Sequence, residues 1–309
     1  MNTTLLLHHV IGAINLTLPI IIAFYVFPSL KKNVLGQIAC ACLIGSLIFY
    51  IQYTSTKNKE KSLLYTASGE CKKNLDEHIR ACNIDPKNVN IKYAYTAGQL
   101  GLSMFNTIVV DPTLCSNLQD DPEAAKVQSI YDNAIAPQLP EQDKARLSQI
   151  KEIFSPQAQS FILKHELGHT HNNYSHKKLI IGGVLTVAAT FAGISSGLFA
   201  LPTLGTIAAI GIGMFVGGSA DVVLGYSSNF LFTAQEEKYA DIFAAQHSSP
   251  EEIHAAADFF EQHQTIVKDY KKSMGLLGKL PSTVLTGHPE NEVRVAYLRT
   301  LATEKTRTA

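Results

Sequence analysis

The chain has 309 residues, a formal net charge of zero, and 46% hydrophobic against 17% charged residues. That length suits one large domain or two small ones, and a neutral balance without a basic stripe or any Trp leaves no electrostatic footprint for nucleic acid. Five cysteines build no disulfide framework. Cys40 and Cys42 lie in an apolar run, Cys115 stands alone, and Cys71 and Cys82 share one expected helix at a spacing that sets them roughly 16 Å apart. They read as reduced thiols in a reducing compartment.

The first expected elements are membrane spans. Leu5 to Phe27 (LLLHHVIGAINLTLPIIIAFYVF) and Val34 to Tyr53 (VLGQIACACLIGSLIFYIQY) are apolar runs joined by PSLKKN, and a bilayer core takes about 20 such residues per helix. Met1 to Thr4 carries no Lys or Arg and a second span follows at once, which argues against a cleaved signal peptide. Ser68 to Cys82 then reads as an amphipathic helix. NVNIKYAY (88 to 95) and NTIVV (106 to 110) read as short strands, and Asp111 to Asp143 as mostly loop with at most a short helix. Ser155-Pro156 pairs an N-cap with a proline at the first helical position and opens the helix that holds HELGH (165 to 169). Leu179 to Leu224 is apolar or small, broken near Leu201-Pro202, and makes a second pair of spans. Ser249-Pro250-Glu251-Glu252 opens a helix with a capping box, and Pro289 opens the last one.

The expected architecture has four transmembrane helices in two hairpins, 1–53 and 179–224. Between and after them, 54–178 and 225–309 combine into one α+β domain, mainly helical with a small sheet. Lys57, Lys59, Lys61, Lys177 and Lys178 flank spans on the HELGH side, and only Lys31 and Lys32 lie on the other. The positive-inside bias puts HELGH and both termini in the cytoplasm.

HELGH has the pattern H-E-x-x-H. On a helix His165 and His169 are i and i+4, so both rings can share one ion, while Glu166 is placed to reach a water on it. A catalytic zinc site takes three protein ligands and leaves one position for water. Ser175 and Asn172 occupy the places where the extended histidine pattern needs His and Gly. His171 and His176 read as solvated. Between Leu167 and Ala220 there is no Asp or Glu at all, so the third ligand must come from beyond the second hairpin. There, in QEEKYADIFAAQ, Glu237 and Asp241 share a helix face in the spacing of a ligand and a supporting carboxylate, and Glu236 reads as a surface charge.

HELGH, then EKYAD (237 to 241), then HPENEVRVAYL (288 to 298) resembles the motif order of the HtpX-type membrane zinc metallopeptidases, related to the CAAX prenyl endopeptidases. The resemblance implies a gluzincin-like zinc peptidase domain with one Zn2+ per chain. His165, His169 and Glu237 would be its ligands and Glu166 its general base. Asp241 would orient a ligand histidine, and His288 and Arg294 would lie near the site. It also implies a bacterial inner-membrane setting, with membrane proteins or unfolded chains as substrates and the lipid bilayer as partner. An extended substrate would pair with a short edge strand, for which NTIVV is the candidate. Prenyl-protein processing uses the same chemistry. A membrane scaffold with a vestigial zinc site is the reading from a different class.

Overall fold

The structure, a computed structural model, describes residues 41–43, 47, 50–51, 54, 65–96, 101–113, 121–228, 232–273 and 289–308. In chain order its elements are β1 (Tyr65–Thr66), α1 (Gly69–Ala81), β2 (Asn90–Tyr93), β3 (Gly101–Met104), β4 (Thr107–Val110), α2 (Pro122–Ile130), α3 (Glu141–Ile153), α4 (Pro156–His171), α5 (Tyr174–Ser228), α6 (Ala234–Gln246), α7 (Pro250–Ser273) and α8 (Asn291–Thr308). The chain divides into two compact units, Met1–Lys57 with Lys177–Leu231, and Asn58–His176 with Phe232–Ala309.

In the second of these units the strands form one sheet in the order β1-β2-β4-β3, with β2 and β4 parallel and the other pairs antiparallel. Every residue of β4 is buried, as in a strand covered on both faces. This corrects the expectation that NTIVV lies at the edge. The edges are β1 and β3, because the segment before NTIVV folds back on it through Phe105-Asn106, with Phe105 at φ 53°. A two-residue turn ordinarily announces itself by Asn-Gly or a leading Gly, and here neither is present. The stretch from Asp111 to Asp143 is also more helical than expected. Asp121 caps α2 through the amide of Glu123 at 2.8 Å, Pro122 follows it, and α2 runs through a wider turn at Tyr131–Ile135 toward α3.

Helices cover the sheet. Ser155 caps α4 by accepting from the amide of Ala158 at 3.2 Å. Phe161 and Leu167 of α4 join Ile79, Tyr93, Ile108, Ile253, Phe259 and Leu298 in the main core. Glu252 binds α4 to α7: Lys164 Nζ donates to it at 2.7 Å and Ser160 Oγ at 2.5 Å, and the amide of Ser249 donates at 2.8 Å within the capping box. Burial disfavours the Glu252 charge, but the donors from Lys164 and Ser160 outweigh it and hold its carboxyl below the ordinary range.

The first unit contains most of α5, which bends at Gly205 (φ 76°, ψ 174°), just past the expected break at Leu201-Pro202. Only glycine adopts that conformation without strain. The arms on either side, Tyr174–Gly205 and Ala208–Gly225, are long and apolar enough to cross a membrane. They meet through missing side chains. A Cβ on Gly193 would lie 2.7 Å from the carbonyl oxygen of Gly213, and one on Gly197 would lie 2.9 Å from that of Ala209. Small residues at four-residue spacing let two helix backbones approach this closely. Of the first expected hairpin, residues 1–40 lie outside the described residues, and those described between 41 and 54 are helical.

Gly193→Val overpacks this contact and is expected to cost about 1–3 kcal/mol, lowering the melting midpoint in detergent. Gly182→Val, where nothing lies within 4 Å, is expected to leave it unchanged. Equal midpoints for the two variants would mean that the arms do not pack through their glycines.

Candidate metal centre

The site is assembled by two helices that nearly touch. Gly168 lies one residue before His169, and a Cβ there would sit 2.9 Å from Cα of Ala240 and 3.2 Å from Cβ of Phe243. The backbone of α6 therefore occupies the space that any other residue at 168 would fill. Ala240 is flanked by Glu237 one turn earlier and Asp241 directly after, so this approach carries both carboxylates to the histidines. His165, Glu166, His169, Glu237, Asp241 and Arg294 are all buried.

His165 Nε2 and His169 Nε2 are 3.1 Å apart. Glu237 Oε1 is 3.2 Å from His169 Nε2, and Glu237 Oε2 is 3.4 Å from His165 Nε2. A tetrahedron with metal–ligand bonds of 2.0–2.1 Å has edges of about 3.3 Å. The three side chains thus present their donor atoms at the spacing a tetrahedral ion requires. The chemistry fits as well. Asp241 Oδ1 lies 2.8 Å from His165 Nδ1; an ionised carboxylate only accepts, so Nδ1 carries the proton and a neutral His165 turns the lone pair of Nε2 inward. Two inward imidazole nitrogens beside a buried carboxylate call for a cation between them.

Asp241, with no exposed surface, holds the centre of a network. Arg294 donates to it through Nε at 2.8 Å and Nη2 at 2.5 Å, and the Tyr297 hydroxyl donates to Oδ2. Burial raises its pKa, but Arg294 and then His165 outweigh burial and hold the carboxyl well below the usual range. For His165, burial opposes the charge, while Asp241 and Glu237 raise its pKa to about 10. In the metal-free protein these two carboxylates therefore favour the protonated form of His165. The Arg294 guanidinium also lies over the ring of Phe260, 3.8 Å from its centroid.

Arg294, placed near the site by resemblance, contacts Asp241 directly. The sequence carries no signal that Tyr297 joins the site beyond its place at i+3 from Arg294 on one face of α8. His288 lies outside the described residues. His171 is exposed, pairs with the Tyr239 hydroxyl at 3.0 Å and stacks on Phe243. His176 is exposed and meets Phe105 edge-on. Neither belongs to the His165–His169–Glu237 group. Glu236 departs from its expected surface position. It is buried and accepts from Asn172 Nδ2 at 2.6 Å, because the first turn of α6 packs against the C-terminal end of α4.

Two outcomes are expected. Asp241→Asn keeps the size but loses the charge, and should weaken metal binding by about 10–100-fold in competition with a chelator. Metal binding must also displace the proton that Asp241 and Glu237 favour on His165, so affinity should rise with pH through neutrality. Uptake near pH 7 should release about one proton from His165 per ion, measurable by calorimetry in buffers of different ionisation enthalpy. An affinity that stays flat between pH 6 and 8 would contradict this.

No curated protein and no solved structure matches the chain. A family model does, over residues 76–302, a span that includes β2 to β4, both HELGH histidines, Glu237, Asp241 and Arg294. A buried His-His-Glu group with metal-site spacing, its neighbouring glutamate and this match agree, and the chain belongs to peptidase family M48, whose members are metal-dependent peptidases.

Proposed function

We propose that this metallopeptidase is a zinc-dependent endopeptidase of the HtpX type, anchored in a membrane with its site on the cytoplasmic side. Its substrates would be membrane proteins or unfolded chains. The observation that carries the catalytic reading is the convergence of His165, His169 and Glu237 beside Glu166 on α4. Two imidazoles and a carboxylate in tetrahedral spacing favour zinc among common metals.

Zinc held by these three residues would supply Lewis acidity, lowering the pKa of an attacking water toward about 7 and favouring charge on a substrate carbonyl oxygen. Glu166, buried next to His165, takes the proton of that water and passes it to the leaving amine. Asp241 keeps the His165 ring turned inward, and Arg294 balances the Asp241 charge. β3 is an edge strand packed against α4. An extended substrate pairing with it would be held mainly through backbone hydrogen bonds, which accommodate many sequences.

Membrane anchoring is supported by the surface of the helical hairpin. Phe199 is 89% exposed and Phe215 75%, and Ile180, Val184 and Val223 are exposed too. Leu43, Leu47, Tyr50 and Ile51 repeat the pattern at helical spacing in the described part of the first hairpin. Apolar surface of this extent is unsuited to water and matched to lipid. Lys57, Lys59, Lys61, Lys177 and Lys178 favour the cytoplasmic assignment.

Purified protein in detergent should carry about one zinc per chain. Glu237→Ala should lose it, while Glu236→Gln should keep it. Glu166→Gln should retain zinc but cleave an unfolded protein at least ~100-fold more slowly. Normal cleavage by Glu166→Gln would refute its role as base, and a preference for a prenylated peptide over the unfolded chain would favour prenyl-protein processing.

A further inference from the structure

The two histidines are held differently. His165 is oriented by a hydrogen bond from Nδ1 to Asp241, the usual arrangement for a metal ligand. His169 is buried and its Nδ1 has no hydrogen-bond partner among the described residues. What lies against its ring is aromatic. Tyr174 packs on it with a centroid distance of 4.8 Å and an interplanar angle of 35°, while His165 meets it edge-on at 4.7 Å.

Tyr174 has a second set of contacts. Its ring stacks on Phe232 at 6.0 Å with an interplanar angle of 13°, and its hydroxyl reaches Thr233 Oγ1 at 3.4 Å. Thr233 is buried and immediately precedes α6, the helix of Glu237. Tyr174 is the first residue of α5 and Phe232 comes directly before Thr233. One side chain therefore touches the second ligand histidine, and also the point where the chain re-enters the peptidase unit one turn ahead of the third ligand.

We propose that Tyr174 is a positioning residue for the metal site: its ring fixes the orientation of His169, and its contacts with Phe232 and Thr233 set Glu237 in register with the histidines. The proposal rests on the reading of His165, His169 and Glu237 as metal ligands. The ring is the working part, since a hydroxyl contact at 3.4 Å is at the limit of hydrogen bonding. A flat face packed on an imidazole restricts its rotation without requiring a polar partner.

The test measures zinc affinity by chelator competition, together with the visible absorption spectrum of the Co2+-loaded protein and the melting midpoint of the metal-free form. It uses the full chain in detergent, as wild type, Tyr174→Phe, Tyr174→Leu and Phe232→Ala. Tyr174→Leu should bind zinc on the order of tenfold more weakly or worse, with an altered cobalt spectrum and a metal-free midpoint near that of the wild type. Tyr174→Phe keeps the face and should restore both affinity and spectrum. Phe232→Ala removes the backing of the ring without touching His169 and should give an intermediate loss; it carries the test if Tyr174→Leu does not accumulate. Wild-type affinity and spectrum in Tyr174→Leu, or in Phe232→Ala where that carries the test, would overturn the proposal and leave the metal-site reading intact. So would a Tyr174→Phe as impaired as Tyr174→Leu. A wild type that takes up no zinc would instead overturn the zinc reading itself, and this proposal with it.

Discussion

The approach of α4 to α6 at Gly168 and Ala240 is the constraint on which the rest of the centre depends. A metal ion accepts little error in the placement of its ligands, and side chains on two helices inherit the separation of their axes. With backbone standing 2.9 Å from where a Cβ would be, the separation is set by hard contact rather than by adjustable side chains. Phe243, Ala244 and Ala245 on α6 and Phe161 and Leu167 on α4 then press the helices together within one apolar core. The glycine inside HELGH is thus a packing residue between the two helices.

Burying charge is the cost of such a site, and the third helix offsets it. Asp241 and Glu237 are both carboxylates with almost no exposed surface. Without partners a buried carboxylate such as Asp241 would take up a proton rather than stay ionised. Arg294 from α8 supplies the fixed positive charge, clasping Asp241 with two donors and lying over Phe260, itself part of the core. Lys164 and Glu252 repeat the device beside HELGH, where they anchor α4 to α7. A buried pair of this kind adds little net stability. Removing either partner would leave the other charge buried and unpaired.

Much of this was legible in the chain because it rests on local rules. The Ser155-Pro156 start, the Ser249–Glu252 capping box and the i, i+4 histidines are written within a few residues, and the structure contains all three. So is the absence of carboxylates between Leu167 and Ala220, which pointed to the residues after the hairpin. What escaped were features defined by distant partners. The partner of β4 was missed because Phe105-Asn106 lacks the usual hairpin signature. A helical wheel places Glu236 in solvent because it does not know that Asn172 faces it. The same Asp-Pro pairing that starts α2 is as clear as Ser155-Pro156, but it sits in a polar stretch without a strong apolar period. Tyr297 falls at a variable place within HPENEVRVAYL and Tyr174 lies outside every motif; they matter only through what lies across from them.

The order in which the chain supplies its parts has a consequence in time. Asp241 follows His165 by 76 positions, and Arg294 follows Asp241 by another 53, with the apolar hairpin between the histidines and the carboxylates. At usual translation rates the first interval alone lasts roughly 4 to 15 s. A ribosome that has made HELGH has made only a helix with two rings on one face. Glu237 and Asp241 follow the hairpin in the chain, and the guanidinium that pairs with Asp241 follows them both. The parts of the centre can meet only after Arg294 has been made, so the chain's own synthesis delays the moment at which it can first cut.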